Sequence, residues 1–257
     1  MFVCALVKSA DWSVAAGAAP CVERMAGLSF GGPLLTVDHG QLSKNQITGE
    51  TREHTVTPVS SHPEKNVIRV QLKQNEVLQE LSDVDRAELE ASLVIVEGNK
   101  GDFLLHQGVR EMEQYFILDG VLKRVVSNAE GKEMILRFAA EGDMETSYAA
   151  FRMGTPTPYG IVCVTKARVA RLALPQWVEF LDRHPTTKQL FEENVMRLMT
   201  EVMGHTITLH LLDAPGRVHR FLRKRPDLVD RIPQKQLASH LNLSAETLSR
   251  LRKRGKI

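Results

Sequence analysis

Four glycines, Gly108, Gly120, Gly131 and Gly142, follow one another at intervals of 12, 11 and 11 residues. Around them lie short runs rich in β-branched and other apolar residues, at 93–96, 103–106, 115–118, 121–126, 134–138, 161–164 and 169–173. Glycine takes the positive φ that tight turns demand, so a regular glycine beat between such runs marks strands joined by short turns. Asn128-Ala129-Glu130-Gly131 reads as one hairpin turn. No alternation of strand and helix runs through this stretch, so the spacing predicts an antiparallel sandwich or barrel.

Helical patterns flank the β-rich block. Before it, residues 67–91 carry Val77, Leu78, Leu81, Val84 and Leu89 on one face, with Ser82 and Asp83 as helix-start residues. After Pro175 a short helix is expected over 176–182 and a long one over about 186–212. In the long helix Phe191, Val195, Leu198, Val202, His205, Leu209 and Leu212 alternate in steps of 4 and 3, the heptad pattern of helix pairing. A homodimer is the expectation, with Val195, Leu198, Val202, His205 and Leu209 in its interface. The alternative is that this stripe packs on the chain's own β-domain; Met196, Met199 and Met203 form a neighbouring stripe that could do the same. Asp213 and Pro215 then read as the start of a further helix.

The chain has 257 residues, 43% of them hydrophobic and 25% charged, enough to bury the cores of two domains. Its charge is uneven. Residues 216–257 hold 12 Lys and Arg against 3 Asp and Glu, a net of +9, which leaves residues 1–215 at −7. A basic end on an acidic body is the electrostatic footprint of nucleic-acid binding. Within that end, residues 234–251 read as a helix-turn-helix. Ala238 is small enough for two helices to cross, Asn242 tolerates a left-handed turn, and Leu237, Leu241, Leu243, Leu248 and Leu251 hold the pair together. Ser244 caps the second helix, whose outward face presents Ala245, Glu246, Ser249 and Arg250 and runs on into Arg252, Lys253, Arg254 and Lys256.

Several classes are excluded. Three cysteines, Cys4, Cys21 and Cys163, are too few and too scattered for a disulfide framework, a paired-thiol zinc site or a four-thiolate iron–sulfur centre. No apolar run nears the roughly 18 residues of a membrane span, and residues 1–11 lack a secretory pattern, so no membrane partner and a cytoplasmic location are expected. No histidine occurs from 107 to 183, which rules out a cupin-type metal site around His106, and no G-x-S-x-G element is present. No catalytic site, no metal site and no enzyme activity are expected.

The order of elements, with Glu130-Gly131-Lys132-Glu133-Met134-Ile135-Leu136, Gly142-Asp143 and Leu212-Asp213-Ala214-Pro215-Gly216-Arg217, resembles the CRP/FNR superfamily of bacterial transcription regulators over residues 70–257. The resemblance implies an α+β chain: an antiparallel β-roll of the cyclic-nucleotide-binding-like, jelly-roll kind over 65–183, a dimerisation helix over 184–212 and a helix-turn-helix domain over 213–257. Residues 1–64, rich in Gly, Ala, Ser, Thr and Pro, read as a poorly ordered extension, with Met25 as an alternative start. The segment 244–250 is similar to the Glu-x-x-Ser-Arg pattern of FNR-like members. By that resemblance Glu246 would accept from a cytosine amino group, Arg250 would bond guanine or phosphate and Ser249 would assist. A palindrome of TGA half-sites in double-stranded DNA is implied, with RNA polymerase as a further partner. Members that bind cyclic nucleotides carry Gly-Glu for the ribose and Arg-Ser or Arg-Thr for the phosphate, where this chain has Thr146-Ser147 and Thr157-Pro158. Without that arginine cyclic AMP is not expected as the effector unless Arg152 moves in. Ser147, Arg152 and Thr157 are the candidate ligand residues, no cofactor is expected, and the effector is unassigned. The chain stops soon after Arg250 without the family's β-hairpin wing, like a subgroup that also lacks the phosphate arginine. That leaves a ligand-sensing adaptor without specific DNA binding as the alternative.

Overall fold

The structure is a computed structural model and describes residues 56–253. Nine strands form two antiparallel sheets. They are β1 (Val56–Pro58), β2 (Val94–Gly98), β3 (Phe103–Leu105), β4 (Glu113–Asp119), β5 (Leu122–Ser127), β6 (Glu133–Ala139), β7 (Met144–Thr146), β8 (Gly160–Cys163) and β9 (Ala167–Ala173). One sheet runs β1-β2-β9-β4-β7 and the other β3-β8-β5-β6. Gly108, Gly120, Gly131 and Gly142 all have positive φ, as the glycine beat predicts. Gly120 is also a close approach, since a Cβ there would lie 2.4 Å from the Lys166 carbonyl oxygen.

The inner faces of the two sheets bury Val96, Tyr115, Ile117, Leu122, Ile161 and Val169. The outer face of the five-stranded sheet is covered by helices α1 (Lys65–Leu72), α2 (Asp83–Ser92) and, beyond the short α3 (Tyr148–Arg152), by α4 (Leu174–Arg183) and α5 (Pro185–Leu211). Trp177 is fully buried there, edge-on to Phe116 and Phe191 and stacked on Phe180. Ser82 caps α2 through the Asp85 amide at 3.1 Å.

Two expectations are corrected. The first concerns the extension over 1–64. Residues 1–55 lie outside the described residues, but Val56–Pro58 pairs with β2, Val59 donates to the Leu93 carbonyl at 3.1 Å, and the Val59 side chain is fully buried. The signal was short because three strand residues ending in a proline carry no periodicity. The second concerns the dimer seam. Val195 and Leu198 are buried with Phe191 in the core under the β-roll, and His205 stacks on another part of the chain. The 3–4 spacing is real but faces inward, because a helix lying on a sheet shows the same spacing as one lying on a helix. Val202 and Leu209 are half-buried. The exposed apolar stripe of α5 is instead Met196, Met199, Met203, Ile207 and Leu211, each at least half exposed.

Candidate functional site

Beyond α5 come α6 (Ala214–Lys224), α7 (Gln234–His240) and α8 (Ala245–Lys253). Asp213 caps α6, its Oδ1 accepting from the Gly216 amide at 2.9 Å, with Pro215 in the first turn. Between α7 and α8 Asn242 takes φ 51°, the left-handed turn that Asn tolerates better than most residues. Ser244 Oγ accepts from the Thr247 amide at 3.0 Å and so starts α8. Leu237, Ala238, Leu241, Leu248 and Leu251 are buried at the crossing. Arg217 ties the start of α6 to the turn: its guanidinium donates to the carbonyls of Leu212, Leu241 and Asn242 at 2.9 to 3.4 Å.

The outward face of α8 carries the residues singled out in the sequence. Ala245, Glu246, Arg250, Arg252 and Lys253 are exposed and Ser249 is half-exposed; Arg254 lies outside the described residues. Glu246 sits in the first turn and Arg250, Arg252 and Lys253 in the last, where the helix dipole favours each sign. The result is an exposed helix face with one carboxylate, one hydroxyl and three cations.

The interior of the β-roll holds a cluster that motif comparison missed. Arg124 and Arg137 lie directly opposite each other in the β5–β6 register and are only 7% and 6% exposed. Like charges in that relation repel. Glu145 on β7, 1% exposed, takes Arg124 Nε at 2.9 Å and Nη2 at 2.5 Å on one carboxylate oxygen and Arg137 Nη1 at 2.9 Å on the other. Burial works against the Arg124 charge, but Glu145 outweighs it and keeps the guanidinium above its ordinary pKa. Tyr159 covers the group: its ring lies 4.1 Å from the Arg124 guanidinium carbon, and its hydroxyl donates to the Thr146 carbonyl at 2.5 Å. The sequence carries no local signal for this cluster, because its three members come together only through the pairing of separate strands.

Ser147 and Thr157, candidate ligand residues, do come together; their hydroxyls are 3.1 Å apart and both side chains are buried. Arg152 does not join them. It closes α3 and donates to the Tyr148 hydroxyl at 3.3 Å, on the side facing Glu192 of α5. No described cluster of His, Cys, Asp or Glu could hold a metal. Among the described residues no helix is long and apolar enough to cross a membrane.

The helix-turn-helix is packed on the roll. Ile135 and Phe138 of β6 share a core with Val218, Phe221, Leu237 and Leu248. His240 of α7 puts Nδ1 2.9 Å from the Ile135 carbonyl and stacks on His205 of α5, with ring centroids 3.9 Å apart. Arg231 holds both Glu141 oxygens at 2.7 and 2.5 Å; burial opposes the Glu141 charge, but Arg231 pulls its pKa below the ordinary value.

Residues 95–184 match the family model described as a cyclic nucleotide-binding domain. The chain is 24% identical over 160 residues to the cAMP-activated global transcriptional regulator CRP of Salmonella typhimurium, spanning 58% of this chain and 76% of that protein. CRP of Haemophilus influenzae is 21% identical over 158 residues, spanning 58% and 70%. Among solved structures the fold is similar to FixK2 from Bradyrhizobium japonicum, with a TM-score of 0.57 at 14% identity over 63% of this chain and 86% of that one. It is similar to the same degree to the c-di-GMP responsive global regulator CLP of Xanthomonas campestris, with a TM-score of 0.57 at 13% identity over 68% and 92%. CRP and CLP are regulators by name, in accord with a chain expected to have no catalytic site. The matched domain, the order of an antiparallel roll, a long helix and a helix-turn-helix, and the fold shared with these structures make the chain similar to the CRP/FNR superfamily.

Proposed function

We propose that the protein is a DNA-binding transcriptional regulator of the CRP/FNR type that acts in the cytoplasm as a homodimer and reads a palindrome of TGA half-sites without cyclic AMP. The observation that carries the reading is α8, a capped, exposed helix presenting Glu246, Ser249, Arg250, Arg252 and Lys253 on a firmly packed partner helix. A recognition helix needs that combination of free base-reading groups and phosphate-binding cations.

Dimerisation is assigned to the exposed stripe of Met196, Met199, Met203, Ile207 and Leu211. A run of this kind along a long helix is costly to leave in water, and a two-fold axis beside it sets two α8 helices for two half-sites.

Independence from cyclic AMP is supported by Glu145. Its carboxylate already occupies the two buried guanidinium groups of the roll, and the Ser147 and Thr157 hydroxyls are bonded to each other, with Thr157 also donating to the Tyr159 carbonyl. An entering phosphate would find no free cation there and would meet a fixed negative charge. RNA polymerase is a partner by family resemblance.

The test is selection of randomised duplexes by the purified chain with no nucleotide present, followed by calorimetry with cyclic AMP. Enrichment of a TGA palindrome and no cyclic AMP heat are expected. Absence of any enriched sequence overturns the DNA reading, and micromolar cyclic AMP binding overturns the second part.

A further inference from the structure

A cleft of about 330 Å³ opens where β6, α5 and the helix-turn-helix domain meet. Its charged lining is lopsided: Arg137, Arg217, Arg220, Lys224 and Arg225 against Glu201 alone. Three of those cations have work elsewhere. Arg137 is bound to Glu145, Arg225 to Asp227 and Asp143, and Arg217 to three main-chain carbonyls. Arg220 and Lys224 have no acceptor among the described residues. They stand four residues apart on α6 and therefore on one face of it. The Arg220 guanidinium lies against Gly204 of α5, its Nη2 at ordinary contact distance, 3.7 Å, from where a Cβ would stand.

The other walls are flat or apolar. Phe138, Phe221, Leu228 and Leu241 line the cleft beside the stacked rings of His205 and His240. His205 Nε2 is buried there with no hydrogen-bond partner among the described residues, an open position that a ligand group can fill. The volume is at the small end of the usual range for small-molecule sites, about 300–1,000 Å³.

We propose that this cleft binds a small organic anion, with a phosphate or carboxylate head on Arg220 and Lys224 and a planar or apolar body against Phe221 and the histidine pair. The site differs from the roll interior, where Glu145 already fills the place of an anion. Because its walls come from the roll, the long helix and the DNA-binding helices together, an occupant stabilises the packed arrangement of those parts. By linkage the occupant and DNA change each other's affinity by the same factor. That last step rests on the DNA-binding reading; the binding step does not.

The experiment is calorimetry on the full chain without DNA, with phenyl phosphate as the probe and benzoate, inorganic phosphate and phenol alongside. Saturable binding of one phenyl phosphate per chain is expected, at least about tenfold tighter than inorganic phosphate or phenol, because each of those lacks one half of the recognition. The ratio of phenyl phosphate to benzoate affinity identifies the preferred head group. The double variant Arg220→Gln, Lys224→Gln should weaken phenyl phosphate by about tenfold or more with an unchanged melting temperature in the absence of probe. Arg250→Ala should bind the probe as the wild type does. No saturable binding, equal binding by the double variant, or loss of binding in Arg250→Ala, which would put the probe on α8, each overturns the proposal. Since no DNA is present, failure here is separate from failure to select a DNA site.

Discussion

Arg124 on β5 and Arg137 on β6 are cross-strand partners, so two guanidinium groups enter the roll side by side. Glu145 is the buried counter-charge that both share, with Asp143 3.9 Å from Arg137 and the Tyr159 ring over Arg124 as lesser supports. Glu145→Gln removes the carboxylate bonded to Arg124 and leaves Arg137 with the longer contact to Asp143, and should destabilise the fold by about 3–5 kcal/mol. Replacing all three by leucine should cost far less, because an apolar group of similar size needs no counter-charge. Urea unfolding of the single and triple variants checks both, and equal losses would show that the ion cluster is not what Glu145 supports.

The stacked histidines make stability depend on pH. Burial, and then the neighbouring His205, push the His240 imidazole down to about 3 from the ordinary 6.5. Burial also lowers His205. Ile135, Phe138 and Phe221 surround His240, and Arg220 adds positive charge beside His205. The folded state refuses protons that the unfolded state accepts, so this contribution is complete above about pH 6.5 and is lost as the pH falls toward 3. The slope from His240 is at most about 1.4 kcal/mol per pH unit. His240→Phe should flatten the stability curve between pH 6 and 4, in denaturant melts, relative to the wild type. Acid loss from the paired carboxylates is common to both proteins and cancels in the comparison.

On α8 the prediction separates reading from holding. Arg250→Ala should cost about 1–3 kcal/mol on the selected sequence and much less on scrambled DNA. Lys253→Ala should weaken all sequences alike and reduce the salt slope by about one. Fluorescence anisotropy at several salt concentrations distinguishes the two; equal losses on both sequences for Arg250→Ala would remove its base-reading role.

The two faces of α5 should respond differently. Leu198→Ala opens a cavity under the roll and should cost about 2–5 kcal/mol of folding stability. Met199→Glu, on the exposed stripe, should leave the melting temperature of the monomer unchanged and shift the sedimentation equilibrium from dimer to monomer. A Met199→Glu protein that stays dimeric would move the interface off this stripe.

Most strands were legible because glycine turns and apolar runs are local features. The helix-turn-helix was legible for the same reason: Asn242, Ser244 and the buried leucines each act within a few residues. What escaped was set by tertiary contact. The heptad of Phe191, Val195 and Leu198 says that one face is buried but not what buries it, and here the roll does. Glu145 sits in a strand of three residues with no period to detect, and its purpose depends on two arginines that the register brings to it from other strands. His240 carries no local signal, since its partner His205 lies 35 positions earlier in the chain. Ser147 and Thr157 were found by alignment to a motif and are neighbours, whereas Arg152, chosen for its charge, is turned toward Tyr148.

The pairing of Val56–Pro58 with β2 bears on where this chain can be shortened. A version begun at residue 65 would lose Val59 from the core and strip the hydrogen-bonding rim from Val94–Val96. An uncovered rim of that kind is a template for other chains, so the trimmed protein would tend to self-associate through its sheets and to come out of solution. A preparation begun ahead of Val56 keeps that rim covered.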